Sequence, residues 1–285
     1  MIAYLDTNVF DNLYKKIGCT SADIAQLRKV IYGRGLAIPI GIHVLDEILL
    51  NRRASPQELV ARLKLTLSLA SIRRMVKPCD QLIADDIRSY AATGQADRPL
   101  VSAQIQNAIT QGIAELIESD GEEFSEEMVE ALEHARQGKE RFLQVMRAAQ
   151  EQAASPFDAR SSRISFEDFF QLAAVPRAEE FAQRAGVLEP CRARGIDGLL
   201  KVRSVRAAIG IALSIMYGQI FEGWAPRISD SIDLLHVPSA VASAEVFVTN
   251  DIRLRKAFQR VPLNEMRVMS LGEFLAECGS ASDAT

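Results

Sequence analysis

Four carboxylates in this chain stand where acid chemistry can be done. Asp6 follows the apolar run Ile2-Ala3-Tyr4-Leu5, Glu47 opens an apolar helical pattern, and Asp233 precedes by 18 residues an Asp251 that follows Val246-Phe247-Val248. A short unbroken apolar run that stops at a polar loop suits a strand buried on both faces. In parallel α/β sheets, ligands bind beyond the carboxyl ends of the strands, near the point where strand order reverses. Acids placed there face one crevice. Several carboxylates in one crevice raise one another's pKa unless a cation compensates, and an all-oxygen set suits Mg²⁺ or Mn²⁺. Such an ion polarises a phosphodiester oxygen and lowers the pKa of a bound water, as phosphodiester hydrolysis requires.

Each acid alone has an ordinary reading. Asp6 could be a loop acid, Glu47 beside Asp46 a solvated helix pair, Asp233 a helix-internal group, and Asp251 a turn residue supporting the next helix. Their joint placement at strand ends is the stronger signal. Asp230, one turn before Asp233, is a supporting candidate. The three histidines, His43, His134 and His236, do not cluster in sequence. His236 falls three residues after Asp233 and could approach the site, although a buried, hydrogen-bonded role is the simpler expectation. An aspartate-nucleophile phosphatase wants D-x-D, and position 8 is Asn. No Walker loop or G-x-G-x-x-G run is present.

The elements that must position these acids alternate at first. Ile2–Leu5 and Leu36–Ile40 read as strands, with Pro39 removing one ladder donor from the second. Arg74–Pro78 reads as a third strand, and helices fall between, among them one with Ser55 as its cap and Glu58 completing a capping box. Ser21 is the expected cap of an earlier helix. From Pro99 to Pro190 only helices are expected: Leu100–Glu118, Glu126–Ala154, Phe166–Ala173 and Arg177–Ala185. A long helix over Ile196–Phe221, a strand over Glu245–Val248, a basic helix, a strand at Arg267–Met269 and a final helix complete the chain. The expectation is an α/β fold, a parallel sheet of about five strands flanked by helices. Residues 1–93 and 196–278 form its core, 94–195 an all-helical inserted lobe, and 279–285 a disordered tail.

At Ile2-Ala3-Tyr4-Leu5-Asp6-Thr7-Asn8, Val44-Leu45-Asp46-Glu47-Ile48-Leu49 and Val248-Thr249-Asn250-Asp251 the sequence resembles the PIN-domain family, nucleases found among prokaryotic toxins and RNA-processing enzymes. The resemblance covers about residues 1–93 and 196–278. It implies that Asp6, Glu47, Asp233 and Asp251 hold Mg²⁺ or Mn²⁺, that Asn8 supports Asp6, and that Thr249 and Asn250 shape the site. It also implies RNA as the commoner substrate. Two features depart from the family pattern: Pro238, where a helix kink is expected, and the long insertion.

The net charge of −4 gives no global attraction to polyanions, so nucleic-acid contact needs a local basic patch. Two runs qualify: five basic residues against one acid between Arg192 and Arg206, including Arg203 and Arg206, and Arg253, Arg255, Lys256 and Arg260 just after Asp251. Basic groups flanking a metal site suit phosphates on either side of a scissile bond. Between Glu115 and Glu133 lie nine acids and no base, a solvated face or a docking face for a basic partner. A catalytically weak binding module acting through the helical lobe, with an antitoxin-like inhibitor or larger complex as partner, is the alternative, and a homo-oligomer is open. Four scattered cysteines, no signal sequence and an apolar stretch at Ile209–Ile215 too short to span a bilayer favour a cytoplasmic protein without membrane contact.

Overall fold

The computed structural model describes residues 1–33, 35–50, 55–121, 164–225, 227–261 and 266–280, with isolated helical positions between 129 and 148; the side chains of 72, 228–233 and 280 are not described. The expected helix Glu126–Ala154 therefore falls largely outside the described residues, as do four of the nine acids of the acidic run and 281–285 of the tail. Gly279 belongs to the last helix.

The protein is mostly helical around parallel strands. Strand β1 (Ala3–Leu5) pairs with β4 (Val246–Val248), and β4 with β5 (Arg267–Met269); β2 (Pro39–Gly41) pairs with β3 (Ser71–Val76). Every residue of β1, β2 and β4 is buried, as expected of strands covered on both faces. A parallel bridge between Ile2 and Ala37 joins the two ladders, with Ala3 N donating to Ala37 O and Ala37 N to Met1 O, each at 3.0 Å. The strands thus lie in the order 3-2-1-4-5, reversing between β1 and β4. Pro39 opens its strand, and the register slips directly after it, from Pro39 opposite Ser71 to Ile40 opposite Met75. The third strand begins at Ser71, earlier than Arg74. Its outer edge is covered by Pro99–Val101, with Lys77 N donating to Pro99 O and Val101 N to Met75 O.

Helices α1 (Thr7–Lys15), α2 (Ser21–Tyr32), α3 (Ile42–Leu49), α4 (Pro56–Leu69), α5 (Cys79–Thr93) and α6 (Ala103–Glu118) follow one another through the first part of the chain. The cap of α2 is Thr20, not Ser21, in a reciprocal box with Asp23. Ser55 caps α4 by accepting from Glu58 N at 3.2 Å. The carboxylate of Glu58 turns instead to Arg62 at 2.7 Å, so the expected box is half made.

Next come α7 (Phe166–Arg184), α8 (Leu188–Arg194), a 3-10 turn (Ile196–Lys201), α9 (Arg203–Phe221), α10 (Ile228–Ser243), α11 (Ile252–Arg260) and α12 (Leu271–Ser280). The two helices expected between Phe166 and Ala185 are one, continuous through Pro176. Proline there forfeits the bond to the carbonyl of Leu172. Both Pro176 and Leu172 lie on the exposed side, while Ala174, Ala178 and Ala182 bury the opposite stripe. The helix expected from Ile196 is broken before Arg203: the first residues wind as a 3-10 turn, where a side chain on Gly198 would strike the Tyr90 hydroxyl at 1.8 Å. Pro238 sits inside α10, which runs through it.

Two apolar clusters result. The larger surrounds the sheet and takes in Ile113 and Leu116 of α6; the smaller joins α7, α8 and the 3-10 turn to Ile87, Tyr90, Val205, Ile209 and Leu213 of α5 and α9. The described parts of the stretch 94–195 thus divide their packing between the two. Helix α9, by length and composition, passes as a membrane span, being longer than its apolar stretch suggests. It is mostly buried and packs against α10 and α7, the position of a core helix.

Candidate functional site

Where β1 and β4 end side by side, the Asp-Thr-Asn and Thr-Asn-Asp segments interlock. Asp6 N donates to Val248 O at 3.0 Å, extending the ladder past both strands. Asp6 occupies the N-cap position of α1 without capping it. Its Oδ2 instead accepts from the Thr249 hydroxyl at 2.7 Å and from Asn8 Nδ2. Asn8 Nδ2 also reaches Thr249 Oγ1 at 3.2 Å, and its Oδ1 accepts from Asn250 N at 3.3 Å. Thr249 Oγ1 accepts in turn from Asp251 N at 3.2 Å. Asn250 Oδ1 takes Leu271 N at 2.9 Å, tying the edge to α12. Asp251 caps α11, with Oδ1 accepting from Leu254 N at 2.9 Å, the supporting role that an acid before a helix ordinarily plays.

Glu47 comes to the same edge on α3. Its Oε2 accepts from the Thr7 hydroxyl and lies 2.9 Å from His236 Nε2. His236 Nδ1 is 3.2 Å from the Tyr4 hydroxyl. Burial pushes the Tyr4 phenol well up, and the charges of Asp6 and Glu47 add to it, so it stays protonated. Tyr4 therefore donates to Nδ1, and His236 donates from Nε2 to Glu47. The expected buried, hydrogen-bonded histidine is also a contact of the site. Beside it, His43 Nε2 accepts from Cys79 N at 2.8 Å, which leaves its ring proton on Nδ1, towards Asp46 at 3.8 Å. Sequence reasoning missed Thr7 and Tyr4 as partners; Thr7 follows Asp6 directly and Tyr4 stands two residues before it, and that nearness was the available signal.

Burial is the largest influence on Asp6 and raises its pKa; His236 and the Thr249 hydroxyl oppose the rise, and the charge of Glu47 adds to it. Asp6 is 5 % exposed. A buried carboxylate with an acidic neighbour is short of positive charge. Asp230 and Asp233 belong to α10, the helix that carries His236, and their side chains lie outside the described residues. Among the described residues, no three His, Cys, Asp or Glu side chains group to hold a metal ion. Asp6 and Glu47 offer oxygen donors of the kind a hard divalent cation takes, and the charge shortage at Asp6 fits one.

The basic residues are arranged less simply. Arg253, Lys256 and Arg260 gather around the Trp224 ring, at 4.7, 5.5 and 4.9 Å from its centroid. Arg260 and Lys256 share Glu222, at 2.5 and 3.4 Å. Arg255 pairs with Glu273 at 3.1 Å, and Arg253 donates to Ala225 O at 2.7 Å. Arg203 is exposed at the start of α9, and Arg206 is half-buried a turn later. Comparison with family models, curated proteins and solved structures finds no match to this chain.

Proposed function

We propose that the protein is a PIN-like, Mg²⁺- or Mn²⁺-dependent nuclease that hydrolyses phosphodiester bonds in RNA. The observation that carries this reading is the placement of Asp6: a buried carboxylate at the carboxyl end of β1, where strand order reverses, with Glu47 close enough to raise its pKa. A bound divalent ion would supply a Lewis acid and an activated water. Asp6, Glu47, Asp233 and Asp251 are the residues assigned to hold it. The chain's own contribution is orientation. Thr249 and Asn8 fix one oxygen of Asp6, and Thr7 and His236 fix one oxygen of Glu47. Cleavage of mixed RNA in Mn²⁺ by wild type and Asp6→Asn tests the reading, with DNA run in parallel. Strong loss in the variant is expected, and equal cleavage by both overturns it.

A second reading is favoured by the capping role of Asp251: a PIN-like binding module of weak or no activity that meets an inhibitory or regulatory protein through its helices. Under it, calorimetry finds no Mn²⁺ binding with all four acids present.

A further inference from the structure

We propose that single-stranded RNA binds along a basic channel beside the β3 flank of the sheet, formed by Arg74, Arg98, Arg194, Lys201 and Arg203. The inference rests on the nuclease reading only for the identity of the strand as RNA. Two hollows, of about 640 and 540 Å³, meet at Pro99 and Ala242. Pro39 and Ser243, which line the second, precede β2 or β4 residues that run towards the carboxylate edge. Pro99, shared by both hollows, accepts from Lys77 N just past the carboxyl end of β3, so the channel runs alongside the β3 flank, and among the described residues none of the four carboxylates lines it. Hollows of this size admit a few nucleotides.

The five cations come from β3, the segment after α5, α8, the 3-10 turn and α9. Arg74 and Lys201 are exposed and make no hydrogen bond or ion pair among the described residues. Arg194 is held in place by its Nε and Nη2 donating to Ala91 O and Ala92 O at 3.2 and 3.0 Å. The two acids in the walls are engaged: Asp86 is buried against the Ser204 hydroxyl and Asp97 N, and Asp97 pairs with Lys77 at 2.6 Å. The remaining field is positive. By contrast, the basic cluster after Asp251 is already engaged with Glu222, Glu273 and Trp224. Tyr90, the aromatic residue in the channel wall, is buried and donates its hydroxyl to Gly195 O at 2.7 Å, so it gives bases no stacking platform. Recognition would run through phosphates and be tolerant of sequence.

Fluorescence anisotropy of a short labelled single-stranded RNA, in EDTA to prevent cleavage, tests the channel. The triple variant Arg74→Glu, Arg98→Glu, Lys201→Glu is expected to bind at least ~10-fold more weakly, with the salt slope reduced by about 2, at roughly 0.7 per lost phosphate contact. Arg253→Glu, Arg255→Glu, Lys256→Glu is expected to bind within ~2-fold of wild type at matched salt. The corresponding triple Gln variant, checked by thermal melting, separates lost binding from lost folding. Unchanged binding by both channel variants overturns the proposal, as does displacement of RNA by polyglutamate at equal charge, which assigns the channel to an acidic polypeptide. Cleavage in Mn²⁺ is scored separately: an Asp6→Asn protein as active as wild type, with channel-dependent binding intact, overturns the nuclease reading and leaves the channel.

Discussion

The Thr249 hydroxyl donates to Asp6 Oδ2 at 2.7 Å, so the ends of β4 and β1 are fastened by side chains as well as by the ladder. Thr249→Val keeps the shape and removes the donor, leaving a buried carboxylate short of one bond. A loss of about 1–3 kcal/mol is expected in urea unfolding. Thr249→Ser should recover most of it; a Val variant as stable as wild type would show that the bond contributes nothing.

Asp6 gives stability a definite sign against pH. Its folded pKa lies above the ordinary 3.8, chiefly through burial. The folded state thus holds this proton more tightly than the unfolded chain. Its contribution is complete below the unfolded pKa and is lost as pH rises through the folded one. Asp6→Asn does not ionise, so in EDTA at neutral pH it should melt above wild type, and the gap should close as pH falls below the unfolded value. Parallel melting curves across this range would contradict the assignment.

Gly41 ends β2 and caps α3, the helix that carries Glu47. An added Cβ would sit 2.1 Å from the Tyr4 hydroxyl. Gly41→Ala should therefore cost about 1–3 kcal/mol by overpacking. Combining it with Tyr4→Phe, which removes the clashing oxygen, should cost less than the sum of the two single changes. Strict additivity in denaturant melts would locate the strain elsewhere.

Pro176 is exposed within α7 and lacks a packing role that alanine would forfeit. Pro176→Ala restores a helix hydrogen bond and loosens the unfolded chain, with a net gain of about 1–2 kcal/mol expected. Thermal or urea melting reads this directly, and a destabilised variant would refute it.

The strands and the two Asp- and Asn-bearing loops were legible because apolar runs ending in polar turns carry the signal locally. Asp6 and Thr249 could be singled out separately, but not their bond, since strand adjacency is a property of the sheet. The basic run after Asp251 illustrates the complementary limit. Its partners Glu222 and Trp224 lie some thirty residues upstream, so a count of charges along the run says nothing of how far they are neutralised. Likewise Arg74 and Arg98 belong to no basic run with Lys201, and only the fold brings them to neighbouring hollows. The close approach of Tyr90 to Gly198 in the 3-10 turn before α9 was hidden because Tyr90 belongs to another helix.

The pairing of Ala3 with Val246 spans almost the whole chain. During synthesis from residue 1 onward, β1 can meet Ala37 early through the single bridge at Ile2, but its other flank waits for the last strands. The apolar Ala3-Tyr4-Leu5 segment then remains half-covered while some two hundred and forty residues are made. Closure of the sheet, and with it the meeting of Asp6 and Thr249, is a late event in the birth of this molecule, and chains stalled before Val246 carry an open strand edge that invites aggregation.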